Sequence, residues 1–135
     1  MLTANVLAKS AELPVFTIRH YTKIGLLKPV KRSDNGYKIY STSDVSLLRF
    51  ITNAKELGFT LKEIGDILSE AENGISPCPH VREIIEKRIS ETTRQIKNLQ
   101  RLKKKMKFAK AKWAKMNDGE PNGHSVCHLI ESFSE

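Results

Sequence analysis

The chain has 135 residues and a formal net charge of +8, with 23 Lys and Arg against 15 Asp and Glu. It contains no run of about 18 apolar residues and no signal-peptide pattern, which excludes a membrane-spanning helix and predicts a cytoplasmic protein. The two cysteines, Cys78 and Cys127, are far apart in a chain without an export signal, which disfavours a structural disulfide and leaves free thiols, metal ligands or a redox pair.

The first 25 residues predict two short helices joined by a tight turn. Thr3 is suited to cap a helix that runs to about Ala11, and Pro14 with Val15 begins a second helix that ends near Gly25. This arrangement is typical of a helix-turn-helix, whose second helix enters a groove of DNA.

A β-hairpin is predicted next, because an Asn35-Gly36 turn separates two short runs, 26–30 and 37–40. The segment 17–40 carries six Lys or Arg and three Tyr against a single Asp, an excess of positive charge suited to phosphates. A solvated basic loop is the competing interpretation of such a cluster. The residues predicted to face DNA are Thr17, Arg19, His20, Tyr21, Lys23, Lys31, Arg32, Asn35, Gly36, Tyr37 and Lys38.

Two amphipathic helices follow the hairpin. The first is predicted from Ser41 to Gly58, with an inward apolar stripe that ends at Leu57. The second opens on a capping box, 60–63, and is broken at 73–76. Both stripes are interpreted as core.

A single long helix is predicted from Val81 to about Met116, since this stretch has neither Gly nor Pro. Its apolar seam has the spacing of a coiled coil and consists of Ile85, Ile89, Thr92, Ile96, Leu99 and Met106. So small a chain cannot bury this seam by itself, so we interpret the helix as a dimerisation element. Residues 82–115 carry thirteen bases against three acids, but the bases are interleaved with the seam, which disfavours a bZIP-like basic region.

Four ordered motifs make the chain similar to the MerR family of transcription regulators. Residues 17–21 read TIRHY and resemble the family's recognition helix, and 25–27 read GLL and resemble the turn that follows it. Residues 32–40 read RSDNGYKIY and resemble the wing, and 57–64 read LGFTLKEI and resemble the start of the next helix. The resemblance covers nearly the whole chain.

This resemblance implies a mainly α fold, in which a winged helix-turn-helix is followed by a long antiparallel coiled-coil helix and a short effector loop. The corresponding segments are 1–75 for DNA binding, 76–116 for dimerisation and 117–135 for the metal-binding loop and tail. The resemblance also implies a homodimer that distorts an overlong promoter spacer so that RNA polymerase can read both promoter elements. The residues it places on double-stranded promoter DNA are Arg19, Tyr21, Arg32, Tyr37 and Lys38. Lys38 stands where the family usually has Arg, so the charge is kept but the bidentate fork is lost.

An antiparallel pair of long helices would bring Cys78 of one subunit near Cys127 of the other. The predicted metal ligands are Cys78, Cys127, His124, His128 and His80. Thiolates with imidazoles suit Zn(II), and Cd(II), Pb(II) or Hg(II) are the related alternatives. Residues 127–131 read CHLIE and are similar to the close of the metal loop in divalent-metal sensors. Because 116–120 read MNDGE where those sensors carry a further cysteine, the resemblance favours a mixed Cys and His site over three thiolates.

Two other functions compete with metal sensing. The same fold could sense oxidants or electrophiles through disulfide formation or modification of Cys78 and Cys127. A catalytic zinc enzyme is disfavoured, because no ordered pair of nucleophile and base is visible in the sequence.

Overall fold

The computed structural model describes residues 1–134 and shows a mainly helical chain with a small antiparallel sheet. The helices are α1 Ala4–Ala11, α2 Val15–Lys23, α3 Asp44–Glu56, α4 Leu61–Glu72, α5 Cys78–Trp113 and α6 His128–Glu131. The strands are β1 Leu2–Thr3, β2 Lys31–Arg32 and β3 Lys38–Tyr40. Glu135, the last residue of the predicted tail, lies outside the described residues. None of the helices described is both long and apolar enough to cross a membrane.

Contacts within the chain define two compact units, Met1–Glu86 and the residues from Lys87 onward. The first unit contains the two predicted helices of the helix-turn-helix, and their ends follow local chemistry. The Thr3 hydroxyl caps α1 by accepting a hydrogen bond from the Val6 amide at 3.3 Å. After α2, Gly25 has a φ of +87°, a left-handed conformation that glycine adopts without strain.

The wing contains a third strand, and its strand bounds differ from the prediction. β3 pairs antiparallel with β2 on one side and with β1, from the N-terminus, on the other. The predicted strand at 26–30 is wrong: the amides of Leu26 and Leu27 both donate to the Tyr21 carbonyl and close the end of α2. Pro29 has no amide proton to offer a ladder, so pairing in the sheet starts later. The Asn-Gly turn is confirmed, with Gly36 at a φ of +82°.

One hydrophobic core joins the helices and the sheet of the first unit. Its most deeply buried side chains are Leu7, Ile18, Leu27, Tyr40, Leu48, Ile51 and Ile64. The predicted inward stripe of α3 holds at Leu48 and Ile51 but is wrong at Leu57, which is 61% exposed. The helix has ended at Glu56, and Gly58 at a φ of +89° turns the chain so that Phe59 enters the core instead.

Helix α4 begins at the predicted capping box. The Thr60 hydroxyl accepts a hydrogen bond from the Glu63 amide at 3.1 Å, and the Glu63 carboxylate accepts one from the Thr60 amide at 2.9 Å. Ile64 and Ile67 face the core as predicted. Helix α5 begins at Cys78, three residues before the predicted start, and ends at Trp113 rather than near Met116.

Two partly buried hydrogen bonds connect the sheet to α2 through Thr22. The Thr22 hydroxyl donates to the Ile18 carbonyl at 2.8 Å, and its oxygen lies 2.7 Å from the Tyr40 hydroxyl. Since the single Thr22 proton is used on Ile18, the Tyr40 hydroxyl is the donor of the second bond.

We expect Tyr40→Phe to lower the free energy of unfolding by about 1 kcal/mol, the usual net value of one intramolecular hydrogen bond. Urea unfolding at one fixed protein concentration measures it. Tyr37→Phe is the matched control, because that ring is 68% exposed and we expect no change there. Equal losses in the two variants would contradict this role for Tyr40.

Candidate functional site

The exposed face of α2 carries most of its predicted DNA contacts. Ile18 and Tyr21 turn inward to the core, which leaves Arg19, His20 and Lys23 on the opposite, solvent-exposed face. Thr17 is partly buried, and its amide donates to the Pro14 carbonyl at 3.0 Å in the first turn. The amphipathic pattern of the helix therefore fixes which side can meet a groove.

Two of the three tyrosines in this region do not offer their rings to DNA. Tyr21, predicted as a DNA contact, is only 5% exposed and belongs to the core, and burial raises the pKa of its hydroxyl. Tyr40 is buried at the sheet. These two rings position α2 and β3, while Tyr37 is the exposed aromatic of the wing.

The wing holds the remaining predicted contacts at its surface. Lys31, Arg32, Asn35, Gly36, Tyr37 and Lys38 are all exposed. The Arg32 guanidinium donates to the Gly36 carbonyl at 3.2 Å, which orients the side chain across the turn and leaves its other donors available.

A hollow with a volume of about 320 Å³ lies between α2, the wing and the start of α1. Its cations are Arg19, Arg32 and Lys38, and Tyr37 also lines it. Cations and an aromatic hydroxyl around one hollow suit a DNA phosphate. Five lining residues are absent from the predicted contacts: Thr3, Ala4 and Asn5 at the start of α1, and Thr22 and Tyr40. The sequence did offer a signal for Thr3 and Asn5, because the N-terminus of a helix is a common anion-binding position.

Cys78 is exposed and is the first residue of α5. Its amide donates to the Ser76 hydroxyl at 3.4 Å. Its sulfur is therefore open to a metal ion, which a cysteine binds as the thiolate.

His80 is engaged with α4. Its Nδ1 lies 2.7 Å from Glu70 Oε1, and both side chains are about one-third exposed. On a helix, positions two apart point to different sides, so His80 and Cys78 are poorly placed to bind one ion from the same subunit. The geometry makes His80 a link between α4 and the start of α5.

The C-terminal segment is organised around Cys127, which is partly buried and immediately precedes α6. The Glu131 carboxylate accepts hydrogen bonds from the Ser125 hydroxyl at 2.5 Å and from the Val126 amide at 2.9 Å. These hydrogen bonds hold the pKa of Glu131 below its ordinary value, and the bond from Ser125 has the largest effect. The carboxylate thereby closes a small loop on which Cys127 lies.

Two histidines of this segment differ in their surroundings. The His128 ring lies directly against the backbone of Gly119, where an added Cβ would collide with the ring. His124 is exposed, and its amide donates to the Asn122 side chain at 2.7 Å.

The donor chemistry of these segments fits a soft divalent cation, because thiols and imidazoles are the ligands that Zn(II) and its heavier relatives prefer. Among residues 1–134 of the single chain, no three His, Cys, Asp or Glu side chains are grouped so that they could hold a metal ion. A site built from Cys78, Cys127, His124, His128 and His80 therefore remains a prediction that requires ligands from more than one segment.

Comparison with known proteins connects both parts of the chain to regulators. Residues 2–71 match a family described as MerR HTH family regulatory protein, and residues 45–107 match one described as MerR, DNA binding. The HTH-type transcriptional regulator HmrR of Rhizobium leguminosarum is 36% identical, over 91% of this chain and 90% of its own length. A probable heavy metal-dependent transcriptional regulator of Haemophilus influenzae is 35% identical, over 73% of this chain and 77% of its own length. The fold is similar to that of PbrR691 from Ralstonia metallidurans, solved in complex with lead(II), with a TM-score of 0.76, 23% identity and 98% of each chain covered.

Proposed function

Because the chain belongs to the MerR family of transcription regulators, which are DNA-binding proteins and not enzymes, we propose that it is a metal-responsive activator. It binds promoter DNA in the cytoplasm as a homodimer. Binding of the metal makes the dimer distort an overlong promoter spacer, so that RNA polymerase can engage both promoter elements.

The observation that most strongly supports DNA binding is the cationic hollow between α2 and the wing. Arg19 from the helix and Arg32 and Lys38 from the wing line the same concavity, although Arg19 and Lys38 are 19 positions apart in the sequence. A phosphate held there would fix the register of α2 in the adjoining groove. Gly36 also lines the hollow, and the predicted contacts His20, Lys23, Lys31 and Asn35 extend this surface.

The homodimer is supported by the exposed seam of α5. In the second unit Ile89, Ile96, Leu99 and Met106 are each at least half exposed, at the spacing of a coiled coil. Apolar side chains repeated every three to four residues favour burial against another helix, and a second copy of the chain supplies the matching seam.

The effector is a soft divalent metal, with Zn(II) first and Cd(II), Pb(II) or Hg(II) as alternatives. Cys78 and Cys127 are the thiolate ligands, and His124, His128 and His80 compete for the remaining positions. The relative from Haemophilus influenzae whose name states heavy-metal dependence supports a metal effector. A metal bound by ligands from different segments of the chain joins those segments, which supplies the free energy for a change in the DNA-bound state.

The second candidate is thiol sensing, which the exposure of Cys78 favours. Oxidation of Cys78 and Cys127 to a disulfide removes two electrons and two protons, and an oxidant accepts them.

Transcription in vitro from a promoter with an overlong spacer separates the two candidates. We expect reduced protein to bind zinc stoichiometrically and to activate with zinc alone. Activation by an oxidant alone, without stoichiometric metal binding, would establish thiol sensing and exclude the metal.

We expect Glu131→Gln to lower zinc affinity about tenfold, because groups that orient a metal ligand typically contribute 10- to 100-fold. The amide accepts more weakly than the carboxylate from the Ser125 hydroxyl and the Val126 amide, so the loop that carries Cys127 loosens. Competition with a chromophoric zinc chelator measures the affinity. Glu86→Gln, on the exposed surface of α5, is the matched control and keeps the affinity of the wild type. Unchanged affinity in Glu131→Gln would show that the loop does not position a ligand.

A further inference from the structure

An exposed phenylalanine lies at the start of α2, on the face that carries the cations. Phe16 is 70% exposed. Together with Arg19, His20 and Lys23 it follows the spacing i, i+3, i+4 and i+7, so these four side chains form one continuous stripe along the helix. This stripe is opposite the buried pair of Ile18 and Tyr21.

The fold does not need this phenylalanine. Val15, its neighbour in the chain, packs against the core, while Phe16 lies outside the core and its packed shell. A single exposed apolar side chain needs no explanation by itself, but this one lies within a stripe of basic residues on the helix face that is predicted to meet DNA. In that position it would meet a ligand that offers an apolar group among polar ones.

The major-groove edge of DNA has that character. A·T pairs present one apolar group there, the 5-methyl group of thymine, beside the hydrogen-bonding edges of the bases. In helix-turn-helix proteins the N-terminal residues of the second helix contact the base edges, and Phe16 is the second residue of α2. The cations farther along the stripe, Arg19 and Lys23, neutralise the flanking phosphates or read guanine.

We propose that Phe16 is a specificity-determining residue that contacts the 5-methyl group of a thymine in each half of the operator. The proposal rests on the DNA-binding function proposed above, and it names the base that is recognised, thymine, and the group that is contacted, its 5-methyl group. No other residue of the exposed stripe has an apolar side chain to read this methyl group.

The test uses the full chain and an operator that the wild-type protein itself selects from a pool of random duplexes. Each thymine of that operator is replaced in turn by deoxyuridine, which removes the methyl group and nothing else. Fluorescence anisotropy, with and without zinc, gives the Kd for every duplex.

We expect wild-type affinity to fall about fourfold for each contacted methyl group, the effect of exposing one methylene-sized group. Phe16→Ala should bind thymine and deoxyuridine duplexes equally, because the side chain that distinguishes them is gone. Phe16→Leu, which keeps an apolar side chain, should restore part of the discrimination. Phe50→Ala is the control: this exposed phenylalanine of α3 lies outside the stripe, and its removal should leave the methyl dependence as in the wild type.

The proposal is overturned if Phe16→Ala keeps the wild-type response to deoxyuridine, or if no thymine matters to the wild type. A Phe16→Ala variant that binds every duplex as the wild type does but activates poorly would assign the side chain to a protein partner instead. If the wild type selects no duplex at all, the proposed DNA-binding function fails together with this inference. The selection step therefore distinguishes a failure of DNA binding from a failure of methyl recognition alone.

Discussion

Cys78→Ser is expected to abolish zinc-dependent activation and to weaken zinc binding at least about 100-fold, more than the loss of a group that only orients a ligand. The physical reason is that a hydroxyl neither ionises nor binds a soft cation as a thiolate does. Cys127→Ser should have the same effect, because both thiolates belong to one proposed site. Zinc titration and transcription in vitro, made on the same preparations, measure the two losses.

Operator affinity in the absence of zinc should stay within about twofold of the wild type, because Cys78 is exposed and its replacement by Ser disturbs no packing. Ser76→Ala is the matched control: Ser76 contacts the Cys78 amide but is no metal ligand, so this variant keeps its response. Activation by zinc in both cysteine variants would mean that the site lies elsewhere in the chain.

Leu99→Asp is expected to dissociate the homodimer and to weaken operator binding at least about 100-fold. Leu99 is 64% exposed in the single chain, so the change should leave the folded subunit intact. In the proposed dimer the same position is buried, and a carboxylate placed there would lose its hydration without gaining a partner. In the proposed dimer the two subunits would contact the two halves of the operator, so separated subunits would lose the affinity gained by joint binding.

Sedimentation equilibrium measures the oligomeric state and fluorescence anisotropy the operator affinity. Asn98→Asp is the matched control, since it adds the same charge one position away, off the seam, where the side chain is exposed. This variant should remain dimeric and bind DNA. A dimer that persists in Leu99→Asp would refute the seam as the dimer interface.

Features with a local cause were predictable from the sequence. The capping box of Thr60 and Glu63, the cap at Thr3 and the Asn35-Gly36 turn each depend on residues within three positions of one another. The same holds for the recognition motif at 17–21, whose order along the chain identifies the family.

Features that depend on distant segments were predicted less well. The pairing of the N-terminal strand β1 with the wing was not predicted, because a strand of two residues has no periodicity of its own. Tyr21 and Tyr40 entered the core, since their contacts come from residues far along the chain. His80 was predicted as a metal ligand, but its hydrogen bond to Glu70, ten residues earlier, depends on how α4 packs against the start of α5.

By itself the sequence determined that the segment 17–40 contains a helix followed by an Asn-Gly turn, because turn chemistry and helical spacing are local properties. Only the tertiary structure decided which side chains of that segment face outward. Burial is a property of the whole packed domain, so it removed the Tyr21 and Tyr40 rings from the surface and left Phe16 among the cations. The tertiary structure also places Arg19, Arg32 and Lys38 around one hollow, because the helix and the wing pack onto the same core.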